Sequence, residues 1–138
     1  MKLNLSPFKS VGLFKFGENI DKYISILQFF KYSPPDEFGV CEYESQDGSF
    51  FITVRENKID SIFCYKELFY KGTNLIGLTI EQFKIITESN FIGKIDELDF
   101  EDDGIPQFVY EFETIGLQVW EKNSRIVTII ASPYIEDD

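Results

Sequence analysis

Apolar and polar residues alternate with a period of two over much of the chain, which predicts β-strands. The clearest case is FFITVR, where Phe50, Ile52 and Val54 would point to one face of a strand and Thr53 and Arg55 to the other. This alternation favours an antiparallel sheet with one buried face. It predicts two short strands near the N-terminus, at 2–5 and 11–16, and six longer ones, at 40–44, 50–55, 59–66, 107–112, 115–121 and 125–131.

Two segments have helical spacing instead. Residues 18–31 carry apolar side chains at intervals of three and four, and the two prolines that follow would end the helix: Ile20, Tyr23, Ile24, Leu27, then Pro34 and Pro35. Thr79 and Gln82 match a capping box, which predicts a second helix over 80–88. The order of elements favours an α+β fold with a largely antiparallel sheet of about six strands and two amphipathic helices. We expect a single domain spanning 1–138.

The composition is that of a folded protein. Hydrophobic residues make up 43% and aromatic residues 17% of the chain, too much for an acidic disordered segment. Cys41 and Cys64 do not form a disulfide framework, and both are predicted as small buried side chains in strands. Lysines interrupt the first sixteen residues, and no apolar run is long enough to cross a membrane, so we expect a cytoplasmic protein.

Negative charge is concentrated in the last third of the chain. Residues 95–138 have a formal net charge of −10, whereas 1–94 have a net charge of −1. The densest stretch, IDELDFEDDG at 95–104, carries six acids and no base: Asp96, Glu97, Asp99, Glu101, Asp102 and Asp103. Such a run is either a solvated loop or a docking surface for a strongly basic partner. The charge argues against binding nucleic acid directly and against anionic membranes.

Catalytic equipment is sparse. The chain has no histidine, which removes the commonest general base and metal ligand, and it has no phosphate-binding glycine motif. The spacing of Asp99, Glu101 and Asp103 resembles the front of an EF-hand loop, but Pro106 and Tyr110 break its second half. We therefore expect no enzyme activity, no metal and no cofactor. Two alternatives stay open: a metal-dependent or carboxylate hydrolase that uses the 96–103 acids, and a general acidic interaction module.

Two aromatic residues near the acids are further candidates for partner binding. If Leu117 and Val119 face the core, then Trp120 faces the other side of the sheet. Tyr110 alternates with its neighbours in the preceding strand and poses the same question. Either a helix covers these rings, or they are exposed anchors of the kind enriched in binding hot spots. The candidate partner-binding set is thus the six acids together with Tyr110 and Trp120.

Four stretches together resemble a known family: VGLFKFGENIDKYI (11–24), KGTNLIGLTIEQF (71–83), DELDFEDDGIPQFVYEFETIGLQVW (96–120) and SRIVTII (124–130). They are similar to the small acidic immunity proteins of bacterial contact-dependent growth inhibition systems, in particular those that neutralise nuclease toxin domains. The resemblance implies a cytoplasmic inhibitor that binds a delivered toxin domain as a one-to-one complex. It also implies that a toxin hairpin can extend the sheet of the inhibitor by β-augmentation. A nuclease toxin needs a basic surface, which an acidic inhibitor complements.

Overall fold

The computed structural model describes residues 2–99 and 103–133. The chain begins with a small antiparallel sheet, followed by a helical segment that consists of one 3-10 turn, Ile20–Tyr23, and one short α-helix. In chain order the first elements are β1 (Leu5–Ser6), β2 (Ser10–Val11), β3 (Phe14–Lys15), α1 (Ile24–Leu27), β4 (Lys31–Ser33), β5 (Val40–Glu44), β6 (Phe50–Arg55) and β7 (Lys58–Cys64). The remaining elements are β8 (Phe69–Tyr70), β9 (Thr73–Asn74), α2 (Ile80–Thr87), β10 (Asp96–Leu98), β11 (Gln107–Phe112), β12 (Leu117–Lys122) and β13 (Arg125–Ala131).

The main sheet has eight strands in the order β10-β11-β12-β13-β7-β6-β5-β4, and every neighbouring pair is antiparallel. It consists of two meanders that meet at β7 and β13. The α+β class and the antiparallel sheet are confirmed, but the expected number of about six strands is wrong. The two additional strands, β4 and β10, lie at the edges of the sheet and have three residues each. Most of their side chains are exposed, so no alternation of apolar and polar residues marks them.

The first helix is much shorter than the predicted 18–31. Asn19 accepts a hydrogen bond from the amide of Asp21 and so begins the 3-10 turn, and the α-helix ends at Leu27. The chain then turns and Lys31 starts β4. The ring of Phe30 packs 5.6 Å from that of Phe50 in the main sheet. This contact draws the chain into the sheet, so tertiary packing overrides the local helical pattern.

For four predicted strands, both the first and the last residue are confirmed: β5, β6, β11 and β13. The capping box is also confirmed: the hydroxyl of Thr79 accepts from the amide of Gln82 at 3.2 Å, and the side chain of Gln82 accepts from the amide of Thr79 at 3.0 Å. Because these bonds satisfy amides that lack helical partners, they fix the start of α2.

Both helical segments pack on the same face of the main sheet, which we call the core face. Ile20, Tyr23 and Leu27 from the first segment, together with Ile80 and Phe83 of α2, belong to one apolar cluster with this face. The ring of Phe83 lies 4.6 Å from that of Phe112. Across the strands the core face presents the row Tyr110, Val119, Ile129, Cys64 and Phe50. The opposite side of the sheet, the outer face, is covered by neither α1 nor α2.

Within residues 2–99 and 103–133, no helix combines the length and the apolar character that crossing a membrane requires.

The Thr79 cap gives a direct test of the fold. Replacing Thr79 with alanine should lower the free energy of unfolding by about 1 kcal/mol, because the first turn of α2 loses its acceptor. Thr114→Ala is the matched control: Thr114 is exposed and lies in the turn before β12. Its change should stay within about 0.5 kcal/mol. Urea denaturation measures both variants, and equal losses in the two would contradict the role of the cap.

The two cysteines differ in accessibility. Cys64 is fully buried, and burial raises the pKa of its thiol to about 12, whereas Cys41 is partly exposed. The expectation that both are buried therefore holds for Cys64 only. A thiol reagent such as Ellman's should modify Cys41 in the native protein and Cys64 only after unfolding, because the thiolate is the reactive form. Rapid modification of Cys64 in the native Cys41→Ser variant would contradict this assignment.

Candidate functional site

The outer face carries a continuous row of side chains across seven strands. In an antiparallel sheet, directly opposed residues lie on the same face, so the register identifies the row. With strands about 4.8 Å apart, it extends for roughly 29 Å. We call it the outer row, and its members are Glu111, Gln118, Ile130, Phe63, Phe51, Glu44 and Lys31.

The centre of the outer row is apolar. The rings of Phe51 and Phe63 stack with their centroids 4.3 Å apart and 18° between their planes, and Tyr65 lies 5.8 Å from Phe51. Phe51, Phe63 and Ile130 are all partly exposed, and none belongs to the core cluster. An apolar strip of this kind, rimmed by polar side chains, is a feature of interaction surfaces.

A cleft of about 540 Å³ lies at the Glu111 end of the outer row. Its charged lining consists of four carboxylates and one lysine, which gives a formal net charge of −3: Asp60, Asp96, Glu111, Glu113 and Lys94. Phe63, Gln118 and Ile130 of the outer row also line it. We call this feature the acidic cleft.

Local geometry explains how these carboxylates meet. The amide of Ile92 donates to the carbonyl of Glu111 at 2.9 Å, which holds the chain before β10 along β11. The register of β6 and β7 passes from the pair Thr53–Ser61 to the pair Val54–Ile59, so Asp60 is the extra residue of a β-bulge. Gly116 joins β11 to β12 at a φ of 66°, and a Cβ there would lie 2.7 Å from the carbonyl oxygen of Ser132. Only glycine fits this crossing.

Hydrogen bonds connect Trp120 to the wall of the acidic cleft. The indole Nε1 of Trp120 donates to Oε1 of Gln118 at 2.8 Å. Nε2 of Gln118 in turn donates to Oε1 of Glu111 at 2.6 Å. A change in the charge around Glu111 should therefore alter these two hydrogen bonds and, through them, the environment of the indole of the chain's one tryptophan.

The acidic segment is not simply a loop, as its charge suggested. Asp96 and Glu97 lie in the edge strand β10 and are exposed, and exposed Asp99 follows it. Asp96 pairs with Val109 and lines the acidic cleft, whereas Glu97 pairs with Phe108 on the core-face side. The period of two thus divides neighbouring acids between the two faces. Glu101 and Asp102 lie outside the described residues.

Asp103 is engaged within the molecule. Its carboxylate accepts a hydrogen bond from the ammonium of Lys122 and another from the amide of Ile105 at 3.0 Å. The bond from Lys122, the larger influence, holds the pKa of Asp103 below its usual value. This pair fixes the far side of the acidic segment to β12.

Trp120 and Tyr110 lie on opposite faces. Trp120 shares the outer face with Gln118, as the alternation of β12 predicted, and neither α1 nor α2 covers it. Tyr110 belongs to the core cluster and is only 9% exposed, with its ring 5.1 Å from that of Phe91. Its hydroxyl donates to Oε1 of Glu121 at 3.0 Å. A partner on the outer face would therefore reach Trp120 and leave Tyr110 in the core.

Sequence reasoning did not select most of the residues that the site brings together. The structure adds three carboxylates and the centre of the outer row to Asp96 and Trp120: Asp60, Glu111, Glu113, Gln118, Phe51, Phe63 and Ile130. No short motif contains them, because they come from five strands and the turn after β11. Only the pairing of β7 with β13 would have identified the set.

In the part of the chain that the structure describes, no group of three or more Asp, Glu, Cys or His side chains is arranged to hold a metal ion.

No protein-family model, curated protein or solved structure matches the chain.

The titration of Tyr110 tests its placement in the core. Burial, and next the hydrogen bond to Glu121, raise the pKa of Tyr110 to about 12. An unfolded tyrosine ionises near pH 10, so the folded protein holds this proton more tightly. The contribution of Tyr110 to the free energy of unfolding should have its full value below pH 10 and should be lost as the pH rises toward 12. The pKa values of Tyr32, Tyr43 and Tyr65 are also raised, chiefly by burial, so absorbance titration at 295 nm should show a late rise to which several tyrosines contribute. In Tyr110→Phe this late rise should be smaller by the absorbance of one tyrosinate, and identical curves above pH 10 would contradict the assignment.

Proposed function

We propose that this protein is an inhibitory binding protein for a basic partner, of the immunity-protein type that neutralises a nuclease toxin domain in contact-dependent growth inhibition. The observation that carries the proposal is the acidic cleft beside an apolar strip on a sheet face that neither helix covers. A cleft with a formal charge of −3 complements a cationic surface. We infer a one-to-one complex formed in the cytoplasm, with no direct contact to nucleic acid or membrane.

The physical chemistry of nucleases supports this pairing. A nuclease must present Lys or Arg where it holds phosphate. Carboxylates that occupy that surface take the place of the phosphates and block access to the substrate. The apolar strip of Phe51, Phe63 and Ile130 adds contact area that a bare charge cluster lacks. Burial of such anchors slows dissociation, because most differences in affinity between related complexes are differences in dissociation rate.

Speed is the second requirement of an inhibitor, because it must reach the toxin before the toxin reaches its substrate. Asp96, Glu97 and Asp99 are exposed at the edge of the sheet. They belong to the last third of the chain, which carries almost all of the net negative charge. Long-range attraction between these acids and a basic toxin would raise the association rate. The edge strand β10 also gives a hairpin of the toxin a place to add by β-augmentation.

A hydrolase is the second candidate, because the acidic cleft brings Glu111 and Glu113 close to Asp60 and Asp96. Catalysis there would have to proceed without histidine, which the chain lacks. Calorimetric titration with calcium, magnesium and manganese tests the metal-dependent form; micromolar binding would favour it. A general acidic interaction module is the third alternative, and a toxin gene directly upstream would argue against it.

Salt dependence tests the proposed steering. The association rate with the C-terminal domain encoded directly upstream should fall at least about 10-fold between 20 mM and 500 mM salt. Stopped-flow fluorescence measures it. The variant Asp96→Asn, Glu97→Gln, Asp99→Asn should associate more slowly at low salt and lose most of this dependence.

The matched control changes the net charge equally at three exposed acids elsewhere: Glu37→Gln, Glu56→Gln and Glu88→Gln. It should retain most of the wild-type rate. If the upstream domain does not bind at all, the proposed function is wrong. Binding at a rate that salt leaves unchanged would contradict the steering role of the β10 acids.

A further inference from the structure

Among the described residues, the helices pack on one side of the main sheet only. Both helical segments and the core cluster lie on the core face. The described part of the chain places no helix over Phe51, Phe63 or Ile130, although these side chains form a contiguous apolar strip. In α+β domains a sheet face with such a strip is usually covered by another layer.

Charge decides what kind of layer fits. A second copy of this chain would bring two acidic clefts and two net charges of −11 together, which like-charge repulsion opposes. A basic segment of another protein would instead contact the apolar strip at the centre of the outer row and the carboxylates of the acidic cleft at its Glu111 end. Charge complementarity therefore selects a cationic partner over self-association.

We propose that the outer row is the docking surface for a segment of the protein partner in which arginine flanks apolar side chains. This inference rests on the proposed function and assigns the contact to the outer face. The apolar side chains of the segment pack on Phe51, Phe63 and Ile130. An arginine at its end enters the acidic cleft.

The cleft has the chemistry for a guanidinium. Glu111, Glu113 and Asp96 offer carboxylates, with which a guanidinium forms paired hydrogen bonds that an ammonium does not. Phe63 lines the cleft as well as the apolar strip, so its ring can contact both the guanidinium and the neighbouring apolar side chain. A guanidinium also stacks on aromatic rings more readily than an ammonium. The surface should therefore prefer arginine to lysine.

The indole of Trp120 is an intrinsic reporter of binding at this site. Its indole is linked through Gln118 to Glu111 at the cleft wall. A guanidinium that engages Glu111 should change the bond from Gln118 and thereby move the indole resonance. Because the chain has one tryptophan, the signal has a single origin.

The test uses the full-length protein and two synthetic peptides, one alternating leucine with arginine and one alternating leucine with lysine. In NMR titrations, the arginine peptide should shift the Trp120 indole and the Gln118 side-chain amide saturably. It should bind about fivefold more tightly than the lysine peptide. Phe63→Ser should weaken its binding about tenfold. Phe29→Ser, a change at an exposed ring just after α1, should have less than a twofold effect.

Thermal melting establishes that each variant is folded, and Phe63→Leu replaces Phe63→Ser if the latter is not. Phe63→Leu keeps an apolar contact but removes the ring face, so it should abolish the preference for arginine. Shifts confined to the backbone of residues 96–99, with Trp120 and Gln118 unmoved, would overturn the inference. That result would leave the proposed function intact, because the β10 acids alone would then attract the cation. Failure of the upstream domain to bind is a separate result and would remove the proposed function itself.

Discussion

In the part of the chain that the structure describes, the two meanders of the main sheet meet at one pair of strands, β7 and β13. Three residue pairs define the register of this junction: Ile129 with Cys64, Ile130 with Phe63, and Ala131 with Ile62. The first and third pairs place four almost fully buried side chains in the core. The middle pair faces the other way and joins Ile130 to the stacked rings of Phe63 and Phe51. One registration therefore builds both the core and the outer row.

A slip of one residue at this junction would exchange the two faces of the strand that moves, since its side chains alternate. If β7 moved while β13 kept its place, Cys64 and Ile62 would turn to solvent and Phe63 would enter the core. Loss of burial at several positions makes that alternative costly, at roughly 1.5–3 kcal/mol for each large apolar side chain that is exposed. The stability of the core thus protects the geometry of the outer row, although the outer row contributes little to the core itself.

The same alternation governs the acids. In sequence, Asp96 and Glu97 are neighbours in one charged run, but the pairing of β10 with β11 directs them to opposite sides. Asp96 joins carboxylates from distant parts of the chain, including Asp60 at a β-bulge and Glu113 after β11. The acidic cleft therefore owes its charge to strand pairing more than to the density of acids in 95–104. Lys122 offsets the carboxylate of Asp103 on the far side of that segment.

Much of the fold was predictable from local signals. The alternation in FFITVR gave β6 correctly, and the capping box of Thr79 and Gln82 gave the start of α2. The failures have physical causes. Edge strands β4 and β10 are three residues long and exposed, so they carry no apolar signal, and the packing of Phe30 on Phe50 ended the first helix early. Of the site, Asp96 and Trp120 were identified from charge and alternation; Phe63 and Ile130 were not, because only a long-range strand pair brings them together.

A basic protein that binds the outer face would bring its protons close to the side chains of the outer row. Methyl cross-saturation NMR on a complex with the proposed toxin domain measures that contact. Ile130 lies in the outer row, whereas Ile85 is 76% exposed on α2, on the core-face side of the molecule. A partner on the outer face should saturate the δ1 methyl of Ile130 and leave that of Ile85 unaffected. Saturation of Ile85 with none at Ile130 would rule out binding at the outer face.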